Sequence, residues 1–265
     1  MHAPSLLLVL LLAAPALAFK PVILMHGVGS GAGEMATIKS MLETEHKGTV
    51  VSNLALYEGS PGSWDHPLKT QVAGVTDAIR KIVAANASLY KDGYNLVCKS
   101  QGGLTCRCVL ESMDDHNVDT FISLAGPQAG VYGKDFFAAF EKKIPWLEPY
   151  TADALWLVAY TSLAQSLISV ANIWRDPNHL SSYAKGDVFL HGYTSGATPA
   201  MKVERVRERE KVVCVCCVST RIHIWRNPRY EVCGRVVWER VVWSLYGRMN
   251  VCCVWIYVVC VYVYL

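Results

Sequence analysis

The chain has 265 residues, enough to bury a full core in one large α/β domain. Its net charge of +3 is unevenly divided: residues 1–200 carry 14 Lys and Arg against 17 Asp and Glu, and the remainder carries 11 against 5. A mildly acidic body excludes nucleic acid as a partner, because that binding rests on a basic surface.

In chain order, "SLLLVLLLAAPALA" comes first, an apolar run closing on Ala16-Leu17-Ala18, small residues where a signal peptidase reads. The run is short of the about 20 residues a bilayer span takes, and Lys20 follows closely. Residues 1–18 are therefore expected to be a cleaved secretory signal and not a transmembrane anchor. "PVILMHGV" is a short apolar run ending in a turn glycine, the pattern of a buried strand, and "GTVVSNLAL" is a second such run. In "HPLKTQVAGVTDAIRKIVAANA", Val72, Val75, Ile79, Ile82 and Val83 recur at helical spacing. "YNLVCKS" gives a third strand, "QGGLTCRCVLESMDD" a helix that follows it directly, and "VDTFISLAG" a fourth strand. Strands alternating with helices predict an α/β fold with a parallel-rich sheet covered on both faces. From Tyr132 to Tyr183 the alternation gives way to an aromatic-rich stretch of helical period, a helical insertion whose aromatics are either core or the lining of an acyl groove.

The chemistry centres on "CKSQG". A serine hydroxyl is a weak nucleophile until a base takes its proton, an acid orients that base and donors hold the oxyanion. The α/β-hydrolase elbow, G-x-S-x-G, places that serine on a sharp turn from strand to helix. Here Cys98 stands where the first glycine is usual, and Ser100 follows an apolar strand and precedes a helix. The plainer reading is a helix N-cap. The glycine-rich "MHGVGSGAG" after the first strand supplies an oxyanion loop, with the backbone amides of Val28 and Gln101 as donors and Gly27, Gly102 and Gly103 giving loop and elbow their room. Its spacing, G-x-G-x-G-x-G, departs from the dinucleotide pattern, and no Lys-Ser or Lys-Thr follows as in a P-loop. His26 packs against or orients this loop; His116 is a loop residue and His179 caps a helix end. Three body cysteines, Cys98, Cys106 and Cys108, read as buried apolar thiols.

"HGVGS", "CKSQGGLTCR", "MDDHNVDTFISLAGPQAGVYG" and "NIWRDPNHLSSY" closely resemble the lysosomal palmitoyl-protein thioesterases, nearer the second, broader-substrate branch, over roughly residues 20 to 195. The resemblance implies an α/β-hydrolase fold and hydrolysis of long-chain acyl thioesters, S-acylated proteins or acyl-CoA, in the lysosome. It implies Ser100 as nucleophile, Val28 and Gln101 as oxyanion donors, and no metal or organic cofactor. It also exposes a departure. The family's acid lies in a Gly-Pro-x-Asp-type turn and its histidine in an Ile-Ser-His-type turn, and neither string is present. Asp187 with His191 or His223 fills the order only formally, since Asp187 and His191 are four residues apart and the fold draws them from separate loops.

The chain therefore divides into a signal at 1–18, a hydrolase domain at 19–200 expected to lack its last strands, and an atypical tail at 201–265. Within the tail, "RVRERE" and "VCVCC" alternate as dinucleotide repeats do when translated, GAGAGA giving Glu-Arg and GTGTGT giving Val-Cys. The tail is expected to be translated repeat or intron sequence, and "VCCVWIYVVCVYVYL" an aggregation-prone strand. The single usable sequon, Asn86-Ala87-Ser88, marks a glycosylation site in a secreted chain. The expected function is serine-dependent thioester hydrolysis, impaired for want of acid and base. The alternatives are an oxygen-ester lipase or esterase and a non-catalytic acyl-binding fragment.

Overall fold

Four of the apolar runs become neighbouring parallel strands because each is flanked by a helix long enough to return the chain to the same sheet edge. The computed structural model describes residues 19–133, 136, 151, 153–195 and three short strands at 211–218, 221–224 and 263–264. The signal at 1–18 and most of the tail lie outside the described residues. Strands β1 (Val22–Met25), β2 (Val51–Asn53), β3 (Tyr94–Lys99) and β4 (Val118–Leu124) pair in parallel in the order β2-β1-β3-β4. Helix α1 (Ala36–Glu45) joins β1 to β2, and α2 (Gly59–Trp64), α3 (Leu68–Ala85) and α4 (Ala87–Tyr90) join β2 to β3. Helix α5 (Gln101–Ser112) joins β3 to β4.

Strand alternation sends side chains to two covered faces. Val22, Leu24, Val51 and Val97 pack with Met35 and with Ile38 and Leu42 of α1. Ile23, Met25, Leu96 and Phe121 pack with Leu68, Val72, Val75 and Ile79 of α3 and Leu104 and Val109 of α5. Burial on both faces is why these strands read as continuous apolar runs and not as alternating ones.

After β4 the insertion holds α6 (Trp156–Ala159), α7 (Ser162–Leu167), a 3₁₀ turn (Ala171–Ile173), α8 (Leu180–Gly186) and α9 (Leu190–Ser195). Hydrogen bonds from several of its residues tie it to the rest of the domain. Val131 exchanges backbone bonds with Ile173 and Arg175, both 2.8 Å, and the Asn172 side chain accepts from the Leu68 amide at 2.8 Å. No helix among the described residues is long and apolar enough to cross a membrane.

Beyond β4 the sheet differs from the expectation in one respect. The tail contributes β5 (Lys211–Val218), parallel to β4, then β6 (Arg221–Ile224), antiparallel to β5, and β7 (Val263–Tyr264), antiparallel to β4 and β5. Strand formation there follows from composition, since Val-Cys alternation favours the pleated conformation whatever its origin. Parallel order ends at β5.

Candidate active site

Ser100 is the hinge between β3 and α5, at φ 51° and ψ −128°. A non-glycine residue with positive φ is held there at a cost of about 1–3 kcal/mol. The turn is fixed on both sides: the Ser100 amide donates to the Leu124 carbonyl at 2.7 Å, and its carbonyl accepts from Gly103 at 2.8 Å. The serine occupies the N-cap position of α5, yet its side chain makes no capping bond. Its hydroxyl therefore does not cap the helix.

The Gly-Gly pair is a packing requirement. A Cβ on Gly102 would overlap the carbonyl oxygen of His26, and one on Gly103 would overlap Ser123 Oγ. Gly27 is equally constrained, since a Cβ there would lie 2.9 Å from that of Ser100. The loop after β1 and the elbow therefore touch at Ser100.

The reading of three buried thiols needs correction. Cys98 and Cys106 form a disulfide, and only Cys108 is a free, buried thiol whose pKa burial pushes far up. Helix α5 runs back along β3, which brings the two Cα atoms to 6.7 Å, within bridging range. Cys98 occupies the usual glycine position by facing this helix. The signal was the strand–elbow–helix order with one cysteine on each arm.

Around the loop, the Gly29 amide donates to Ser63 Oγ at 2.6 Å, and His26 lies buried with Nδ1 2.8 Å from the Gly27 carbonyl and Nε2 2.8 Å from the Leu56 carbonyl. His26 therefore orients the loop from beneath. Glu34, in the 3₁₀ turn Ala32–Met35, accepts from the Gly27 amide at 3.3 Å, from Ser30 Oγ at 2.6 Å and from Lys99 Nζ. A carboxylate on these donors would repel a pyrophosphate, which argues against the dinucleotide reading. The amides of Val28 and Gln101 have no hydrogen-bond partner among the described residues. The Gln101 side chain is buried and donates to Gln71 Oε1 at 3.2 Å, so the residue after Ser100 is anchored to α3.

The other histidines and carboxylates named from the sequence have partners of their own among the described residues. Asp187 Oδ1 accepts from the backbone amides of Phe189 at 2.9 Å and His191 at 3.0 Å, so it caps the start of α9. His223 lies on β6, paired with Cys216. His179 does not cap with its ring; Nδ1 meets the buried Asp176 carboxylate at 2.9 Å, and the ring stacks on Trp156 with centroids 4.2 Å apart. His116, expected in a loop, does sit there, and burial draws its pKa down. No group of three or more metal-ligating side chains converges among the described residues.

Above the loop, Trp64, Leu155, Ala159 and Trp174 form an apolar cluster against which Val28, Tyr132 and Phe136 pack. Among the described residues, Trp174 of the insertion is therefore core, and Tyr132, Phe136 and Val28 pack against the same cluster. A separate cavity of about 290 Å³ between α6 and α7 is lined by Val158, Thr161, Leu163, Ala164, Leu167 and Ile168, none of them from the elbow or loop. Asn86 is exposed between α3 and α4, and its Oδ1 accepts from Ser88 Oγ at 3.0 Å.

The family model described as "Palmitoyl protein thioesterase" matches residues 21–215. The lysosomal thioesterase PPT2 of Homo sapiens is 38% identical over 185 residues, covering 68% of this chain and 57% of that protein. A lysosomal thioesterase PPT2 homolog of Drosophila melanogaster is 36% identical over 177 residues, covering 66% and 56%. A lipase of Bacillus licheniformis in mature form aligns at TM-score 0.41 and 20% identity over 68% of this chain and 64% of its own, a likeness too loose to carry an argument. The chain spans a little over half the length of the curated relatives it matches.

Proposed function

The chain belongs to the palmitoyl protein thioesterase family, and on that premise we propose that Ser100 is a nucleophile for long-chain acyl thioesters, with the amides of Val28 and Gln101 as oxyanion donors. The observation that carries this reading is the elbow: Ser100 at φ 51° between β3 and α5, uncapped, with Gly27 of the glycine loop packed against it. In the proposed reaction Ser100 Oγ attacks the thioester carbonyl and the C–S bond breaks. The thiol leaves with a proton, and water then cleaves the serine ester to release the fatty acid. S-acylated protein or acyl-CoA is the substrate class. Residues 1–18 act as a secretory signal, Asn86 carries a glycan, and the enzyme works in the lysosome; residues 201–265 are translated repeat or intron sequence.

No histidine–carboxylate pair meets the Ser100 hydroxyl among the described residues, which favours a second reading, an acyl-binding protein with weak or no turnover. Purified chain assayed on palmitoyl-CoA separates the two, with Ser100→Ala as control. Slow turnover abolished by Ser100→Ala supports the hydrolase; binding of a fluorescent fatty acid with no serine-dependent release supports the binder. Equal rates on a matching oxygen ester would instead assign a lipase or esterase. Full-length transcript sequencing tests the tail, which the reading predicts to be absent from mature message.

A further inference from the structure

We infer that Glu34 is a positioning residue for the oxyanion hole, its carboxylate clamping the loop that carries Val28 to the elbow that carries Gln101. This rests on the reading of Ser100 and those two amides as the reacting site. The two halves of that hole come from separate strands: Val28 follows β1, and Gln101 follows β3. Nothing in strand pairing sets the gap between them once both strands have ended at Met25 and Lys99. Glu34 bridges that gap. One oxygen, Oε2, takes the Gly27 amide at 3.3 Å and the Ser30 hydroxyl at 2.6 Å, donors on either side of Val28. The other, Oε1, takes Nζ of Lys99, the residue immediately before Ser100. The carboxylate is itself anchored, because its neighbour Met35 is wholly buried in the core beneath β1 and α1.

The same contacts show why Glu34 is not the missing base. Burial alone would raise its carboxyl, but the bonds from Lys99 and Ser30, the Lys99 charge and the Gly27 amide hold it below the usual range. A carboxylate whose two oxygens already serve three donors is a poor proton acceptor. Nor is it an ordinary surface ion pair. Such a pair is worth little because two long side chains must be ordered for one contact, whereas here the ordering is shared with a backbone amide and a hydroxyl.

The test pairs a structural readout with a chemical one on the full-length chain. Amide hydrogen exchange by NMR is read at Gly27, Val28 and Ser30, and the rate of Ser100 modification by an alkyl fluorophosphonate is read alongside. Glu34→Ala is expected to speed exchange at those amides at least about 10-fold while β1 and α3 stay protected, and to slow labelling about 10- to 100-fold, the scale of loss for a misplaced reacting group. Glu34→Gln, which keeps an acceptor for Gly27, is expected to recover much of both. Lys99→Met is expected to loosen the loop by a smaller factor. Unchanged exchange in Glu34→Ala overturns the clamp. Faster exchange with unchanged labelling overturns the positioning role. If the unaltered chain is not labelled at Ser100, the hydrolase reading fails and exchange alone still decides whether Glu34 clamps the loop.

Discussion

At Gly102 two effects of known size oppose each other. Alanine would gain about 1 kcal/mol in helix propensity over glycine, but its Cβ would overlap the His26 carbonyl oxygen, a backbone atom that cannot rotate away. Overpacking of this kind costs about 1–3 kcal/mol, so Gly102→Ala is expected to be net destabilising in urea denaturation and to slow fluorophosphonate labelling of Ser100. A stabilised variant labelled at the normal rate would show that the His26 backbone yields to the added methyl group. Asp187 sets a second expectation. Burial pushes its carboxyl from 3.8 up to about 6, only partly offset by the amides of His191, Phe189 and Leu190, and its Oδ2 is buried without a partner among the described residues. Because the folded value lies above the unfolded one, the folded state holds the extra proton between about pH 4 and 6. This contribution to stability is therefore complete below about pH 4 and lost as pH rises through about 6. The full loss is on the order of 3 kcal/mol at 1.36 kcal/mol per unit. Asp187→Asn keeps the Oδ1 acceptor and removes the charge, so its stability between pH 5 and 7 should fall less steeply than that of the parent. Parallel pH–stability curves for the two proteins would rule this out.

The pair β3–α5 behaves as one element because the Cys98–Cys106 disulfide closes a loop eight residues long in sequence around Ser100. Loop-closure entropy for so short a span is worth about 2–3 kcal/mol. Replacing both cysteines with alanine is expected to lower the urea midpoint by about 1 M at a slope of 1–3 kcal/mol/M, and non-reducing peptide mapping of the parent should yield the Cys98–Cys106 cross-linked fragment. Recovery of both cysteines as free thiols would remove the staple. Elements of this kind were legible to different degrees. Strand runs such as "YNLVCKS" and the helix through Val72, Val75 and Ile79 were readable because burial imposes a period on local sequence, and they match β3 and α3. The elbow was readable because the serine's conformation demands small neighbours at fixed offsets. The Glu34–Lys99 contact was not, since it joins residues whose approach depends on how the loop after β1 folds back. A pair 65 residues apart leaves no local pattern.

Across the whole molecule, the proposed hydrolase reading makes turnover depend on the strands and turns beyond β4. The hydrolase fold supplies its acid and base from turns at the carboxyl ends of later strands, in chain order Ser, acid, His. This chain does place β5 parallel to β4, in register from Thr120 opposite Lys211 to Leu124 opposite Val215. At the end of β5 the chain reverses into β6, so Val218 is already paired with Arg221. No aspartate exists after Asp187 to occupy that turn, and the last histidine, His223, returns along the antiparallel strand. On the proposed reading, in which Ser100 has its oxyanion donors but lacks its base and acid, only a residual part of catalysis is retained, typically about 10³–10⁴ over water where an intact triad gives far more. Residues 19–195 joined to the C-terminal segment of the human lysosomal thioesterase PPT2 should therefore hydrolyse palmitoyl-CoA at least about 10³-fold faster than the parent chain. Ser100→Ala in the chimaera should abolish that gain. A chimaera that folds, as judged by a cooperative urea transition, and still turns over no faster would mean that the elbow, and not the tail, limits this chain.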